Sequence, residues 1–286
     1  MTWRIRIFSD FCSSEVASSS YEICGKSEEL HFYGEEKEFI FTNNNDYTHA
    51  IILNKAMPIL NIPKENVIGL AQEPVPFLKI TEEFIKYAEK FIGRYYIGDK
   101  GTLPDPFYEG NAYLFYDRPH KTIKSKFMSI MVSQKTGAPG HYYRHQLVDA
   151  ILKTDLPIDI WGRGSNMHGN DPRLKGKFTK YEPYDDYKFH IAIENFQTNH
   201  YFSEKIITPL LLETTPVYLG CKNIDNYFNG QLVNLTGDIE IDINLLQLIY
   251  LMPNEYNKTN DIEKVDNTVN ILKNMKSLFL CNTHAN

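Results

Sequence analysis

Two Rossmann-like α/β domains facing a cleft form the architecture that this sequence predicts, and three observations carry the expectation. First, THAIILN (48–54), NVIGLAQEP (66–74) and KFHIAI (188–193) have the continuous apolar centres of parallel strands buried on both faces. Second, helical segments such as 81–90 and 142–153 fall between strand candidates, the alternation of an open α/β sheet. Third, LPDPFYEGNAYLFYDRPH (103–120) mixes Pro, Gly and aromatics without periodicity and reads as an interdomain connection. The boundary is placed near Pro119, giving domains of 1–118 and 119–286.

In chain order, MTWRIRIFSDF alternates like a first strand at 3–9, followed by strand candidates near 30–33, 38–42, 48–53 and 66–70 and the helix at 81–90. The second domain alternates again, with a strand at 126–132, a helix at 142–153, a strand at 157–161, a β-α-β unit at 188–220 and a short strand at 231–235. The last helical stretch, 262–280, is expected to pack back on the first domain by analogy of fold. Pro209 falls inside the helix of the β-α-β unit, where it removes a backbone bond, so a kink or a late start is expected there.

At 286 residues and 33.3 kDa, with 42% hydrophobic and 13% aromatic content, the chain can bury two cores. A net charge of −6, from 30 basic and 36 acidic residues, with a pI near 5.9, supplies no basic footprint for nucleic acid or an anionic membrane. Cys12, Cys24, Cys221 and Cys281 lie apart, without Cys-x-x-Cys pairs, and read as free thiols of a reducing compartment. No apolar run approaches the ~18 residues needed to span a bilayer, so a soluble, cytoplasmic chain is expected.

The β-α-β unit, KFHIAIENFQTNHYFSEKIITPLLLETTPVYLG (188–220), is where chemistry is expected. Its first strand ends in Glu194-Asn195, Ser203 is placed as a helix N-cap, and Glu204 and Lys205 fall in the first helical turn. Free N–H groups at a helix start attract anions; Lys205 adds a full positive charge, and Glu204 offers acceptors for sugar hydroxyls. That combination suits a nucleoside diphosphate with its ribose. Read alone, the same residues also fit a solvated first turn.

The stretch from Ala192 to Gly220 resembles the donor-site motif of the α-1,3/1,4-fucosyltransferases: a strand ending in Glu-Asn, a Tyr-x-Ser-Glu-Lys turn and a Pro-Val-x-x-Gly strand. The resemblance extends to IDIWGRGS (158–165) and to KFMSIMVSQ followed by YYRHQL within 126–147, and so covers about 120–240. It implies the glycosyltransferase-B plan and a donor site formed by Arg144, Gly162, Arg163, Gly164, Glu194, Asn195, Tyr201, Ser203, Glu204 and Lys205. Arg144, early in the helix after the TGAPG loop, would take a phosphate bidentately. The Gly162-Arg163-Gly164 loop permits close backbone approach to a ligand, although Gly-x-Gly alone also fits a plain turn.

In the first domain, Glu73 follows a buried strand, is flanked by Pro74, and matches a family Glu loosely as general base; Gln72 competes for that position. The resemblance therefore implies an inverting transferase moving L-fucose from GDP-fucose to a hydroxyl, the 3-OH, of an oligosaccharide or glycan acceptor, with no cofactor. A related transferase using another nucleotide sugar, or a non-catalytic sugar-nucleotide- or glycan-binding module, is the alternative. No metal ligand set is expected: Asp185-Asp186 and the carboxylates from Asp238 to Asp242 read as solvated turns that cap elements.

Overall fold

The structure, a computed structural model, describes residues 2–18, 39–114, 120 and 122–280. It divides into two compact units, Met1–Asp117 with Thr198–Tyr201 and Asn267–Asn286, and Arg118–Gln197 with Phe202–Asp266. Each holds one six-stranded sheet, and every pairing in both sheets is parallel. The continuous apolar strands require this, because a parallel sheet is covered on both faces.

In the first unit, β1 (Trp3–Ser9), β2 (Phe39–Phe41), β3 (His49–Leu53), β4 (Val67–Leu70), β5 (Arg94–Ile97) and β6 (Phe107–Glu109) are ordered β2-β1-β3-β4-β5-β6. Alternate residues feed two cores. Ile5, Ile7, Ile51, Leu53, Ile68 and Leu70 pack with Ile271, Leu272 and Met275 of the helix Ile271–Leu280. Ala50, Ile52, Val67 and Tyr95 pack on the other face with Phe84 and Ala88 of the helix Glu82–Phe91, whose N-cap Thr81 accepts from Phe84 N.

In the second unit, β7 (Lys126–Met131), β8 (Ile158–Trp161), β9 (Leu174–Gly176), β10 (Tyr187–Ile193), β11 (Thr215–Leu219) and β12 (Val233–Asn234) are ordered β12-β11-β10-β7-β8-β9. Met128, Ile130, Phe189, Ile191 and Val217 form one core with Leu147 and Ile151 of the helix Pro139–Leu152 and Leu246 of the helix Ile239–Leu251.

Several expectations are corrected. The aperiodic stretch 103–120 contains β6, which completes the first sheet beside β5; neither strand is long enough for its pattern to stand out from aromatics and turns. The stretch 262–280 is two helices, Ile262–Val269 and Ile271–Leu280, and the fully buried Asn270 accepts from Leu272 N to start the second. The strand expected at 30–33, Cys24, Cys281 and the Pro119 boundary lie outside the described residues. Cys12 and Cys221 are not joined in a disulfide among the described residues. No helix among the described residues is long and apolar enough to cross a membrane.

Candidate active site

The β-α-β turn of the second unit is built around a buried carboxylate. Glu194, just beyond the end of β10, is 1% exposed and accepts from Ser203 N (2.8 Å) and from Ser203 Oγ at 3.0 and 2.8 Å. Those donors make its burial affordable, since an unpaired buried charge would cost several kcal/mol. Ser203 caps the helix Glu204–Leu211 by accepting from Lys205 N, so Glu194 fixes the cap and the cap fixes the helix start. The helix begins on time despite Pro209. The proline sits in its last turn, where the helix has two residues left to run, so the lost bond to the Lys205 carbonyl does not delay it.

Lys205 folds back over this cap. Its Nζ lies 2.9 Å from Ser203 Oγ, 3.1 Å from Glu204 Oε1 and 3.5 Å from Glu194 Oε2. Burial pulls its pKa down, but the Glu194 and Glu204 carboxylates outweigh that and hold it above the ordinary lysine value. Facing it, the buried Arg144 donates through Nε to the Gly140 carbonyl (3.1 Å) and through Nη2 to Asn195 Oδ1. Arg144 is thus aimed by both its own helix and the end of β10.

These cations open on a cavity of about 400 Å³ at the carboxyl ends of β7 and β10. Of the expected residues, Arg144, Gly162, Arg163, Glu204 and Lys205 line it. Gly164, Glu194, Asn195 and Ser203 stand behind the wall and shape it. Tyr201 is buried in the segment Thr198–Tyr201, which groups with the first unit and packs on Gly98 beyond β5.

The glycine loop is a correction of emphasis. Gly162 has φ +99°, and a Cβ there would collide with the Val132 carbonyl; one at Gly164 would collide with the Ser133 carbonyl, while Gly164 N donates to Val132 O (3.0 Å). Close approach of the protein's own backbone demands both glycines, and Gly162 reaches the cavity as well. The turn Arg163–Met167 is tied back to the helix Pro139–Leu152 through His168, bonded to His145 (2.9 Å) and Asp149 (2.7 Å). Gly140 is tighter still, since its Cβ would overlap the Glu194 carbonyl oxygen. Gly140→Ala should therefore lower the Tm by about 4 °C or more and weaken ligand binding with it, as a thermal melt would show.

Sequence reasoning missed several groups here. His141, in the first turn of the helix Pro139–Leu152, has an unpartnered buried Nδ1 among the described residues. Burial first, then the cations Arg144, Lys135 and Lys205, push its pKa down to about 4, against a hydrogen bond to Asn195. Burial first and these cations second keep the His141 ring neutral, and the same cations give this end of the sheet a positive potential. Phe178, Met131 and His190 also line the cavity; Met131 and His190 lie within stretches already singled out, but only the folded sheet gathers the three side chains in one place. The acidic clusters divide. Asp185 pairs with His120 and Asp186 with Lys126, and Asp238 caps the helix Ile239–Leu251. Asp242, expected as solvated, is fully buried: it accepts from Thr236 N, Thr236 Oγ1 and Gly237 N, and from the Tyr143 hydroxyl, which locks two helices together. No group of three or more His, Cys, Asp or Glu side chains among the described residues is arranged to hold a metal ion.

Glu73 lies in the first unit, exposed at a second cavity of about 520 Å³ lined also by Asp10, Asn54, Gln72 and Tyr113. Gln72 is tied down there, its N–H donating to Asn54 Oδ1 (2.9 Å).

Two parallel α/β sheets, one with a cationic cavity at its carboxyl strand ends, define the glycosyltransferase-B fold class. Solved structures of this fold include an α1,3-fucosyltransferase with GDP-fucose (TM-score 0.57, 14% identity, covering 100% of this chain and 93% of that one). Another is Anabaena HepE with UDP-glucose (TM-score 0.65, 10% identity, 98% and 100%). Residues 121–233 match the family described as glycosyltransferase family 10 (fucosyltransferase) C-terminal. A fucosyltransferase-like protein of Arabidopsis thaliana is 29% identical over 121 residues, 41% of this chain and 22% of that protein. A protein of Acanthamoeba polyphaga mimivirus named for fucosyltransferases is 27% identical over 130 residues, 44% and 21%. The chain thus matches about a fifth of the length of these relatives.

Proposed function

We propose that this protein is an inverting fucosyltransferase that moves L-fucose from GDP-fucose to the 3-OH of an N-acetylglucosamine- or glucose-type unit in a glycan. The observation that carries the reading is the set Arg144, Lys205 and Glu204 around one cavity at a helix start, inside the segment that matches family 10. Arg144 and Lys205 take the diphosphate and stabilise the charge that grows as GDP leaves, and Glu204 accepts from the ribose hydroxyls. Glu194, Ser203 and Asn195 hold those groups in place. Glu73 removes the acceptor proton as the hydroxyl attacks the anomeric carbon, with inversion.

One observation favours a second reading: the HepE fold, bound to UDP-glucose, superposes with the higher TM-score of the two. Turnover of GDP-fucose against a panel of UDP- and GDP-sugars separates the two, and GDP-fucose is expected to be the donor consumed. Tight nucleotide-sugar binding with no product from any acceptor would instead identify a binding module. The protein is read as acting inside the cell and off the membrane.

Catalysis is expected to need no divalent ion, because Arg144, Lys205 and a helix N-terminus together offset a pyrophosphate. Activity should survive excess EDTA. Loss on chelation, restored by Mn²⁺ or Mg²⁺, would show that these cations are insufficient.

A further inference from the structure

The donor cavity carries a polar group that the reading above leaves unused. His190 lies inside β10, 1% exposed, and forms part of the cavity wall. Its tautomer follows from its neighbours. Ser129, its register partner on β7, donates its only hydroxyl proton to the Pro183 carbonyl. The 2.8 Å contact between Ser129 Oγ and His190 Nδ1 must then run from Nδ1–H to the oxygen. A neutral ring with its proton on Nδ1 carries an acceptor lone pair on Nε2. Burial, opposed by the Pro183 carbonyl, lowers the ring pKa to about 3, so the ring stays neutral at any working pH.

The surroundings say what such an acceptor is for. Met131, Ala192 and the ring of Phe178 give this cavity apolar wall, while Arg144, Arg163 and Lys205 supply cations to the same space. A charged sugar diphosphate has no use for the apolar part. A flat heterocycle does, and its edge presents N–H donors.

We propose that His190 is a specificity-determining residue whose Nε2 accepts a hydrogen bond from an N–H on the edge of the donor's nucleobase, seated beside Phe178 and Met131. The proposal rests on the nucleotide-sugar reading. A guanine offers its N1–H and its 2-amino group, and a base lacking the matching donor leaves a buried acceptor unpaired, which makes the contact selective.

The test is a binding cycle by calorimetry with GDP, N1-methyl-GDP and inosine diphosphate, which lacks the 2-amino group. Wild type should bind GDP at least about tenfold more tightly than one of the two analogues. His190→Phe keeps a ring but loses the acceptor and should abolish that preference, and His190→Gln, whose amide oxygen accepts, should restore part of it. An equal preference in wild type and His190→Phe would overturn the proposal, because a purely structural ring would weaken all three nucleotides alike. If His190→Phe fails to fold, the wild-type protein gives the answer by ¹⁵N NMR: the Nε2 resonance must move upfield when GDP binds, and an unchanged shift overturns the assignment. Should wild type ignore GDP and bind UDP, the GDP-fucose reading fails. The same cycle with UDP and N3-methyl-UDP then decides the role of His190 on its own.

Discussion

Replacing Lys205 with alanine should cut kcat/KM by at least ~10²-fold, and Arg144→Ala should do the same, with the fold intact by circular dichroism. Each side chain supplies a charge contact that strengthens as the diphosphate departs, so the loss should fall on kcat as well as KM. The two variants should differ in stability. Without Lys205, Glu194 keeps its Ser203 donors but loses its nearby ammonium, and a buried carboxylate with less compensation destabilises the turn. Without Arg144, the Asn195 side chain loses a donor at a partly exposed site, which costs less. Arg144→Lys should recover little activity, because a point charge cannot reproduce a guanidinium bonded at once to Gly140 and Asn195. Near-wild-type turnover in either alanine variant would remove these residues from the donor site.

Glu73→Gln should bind GDP like wild type and lose transfer by a comparable ~10²- to 10⁴-fold, since it deletes a proton acceptor and keeps the shape. The residue is exposed beyond β4, and Pro74 at the start of the following turn holds the chain extended there. Asp10 lines the same cavity, so the paired variant Asp10→Asn belongs in the experiment. An active Glu73→Gln with an inactive Asp10→Asn would move the base by one side chain. GDP affinity measured alongside separates loss of the base from loss of the donor site.

How much of this was legible beforehand differs between fold and site. Strands such as His49–Leu53, Val67–Leu70 and Tyr187–Ile193 were visible because burial on both faces demands unbroken apolar runs. Ser203 was visible as a cap because its chemistry is local: a hydroxyl beside free N–H groups. Phe107–Glu109 was not, because an edge strand of three residues, two of them exposed, carries no such run. Asp242 was misread for a related reason: its burial is created by the Tyr143 hydroxyl and the Thr236 turn, and nothing adjacent to it in sequence signals either.

By itself, then, the sequence determined two alternations of strand and helix, and placed Glu194, Asn195, Ser203, Glu204 and Lys205 on one turn, because hydrophobic periodicity and helix capping act over a few residues. Only the tertiary structure decided that Arg144 reaches Asn195 across fifty-one positions, that Gly162 and Gly164 serve the approach of a neighbouring strand end, and that His190 bonds to Ser129 and lines the cavity. These contacts join residues far apart in the chain. They are set by strand order and register, which no local pattern encodes.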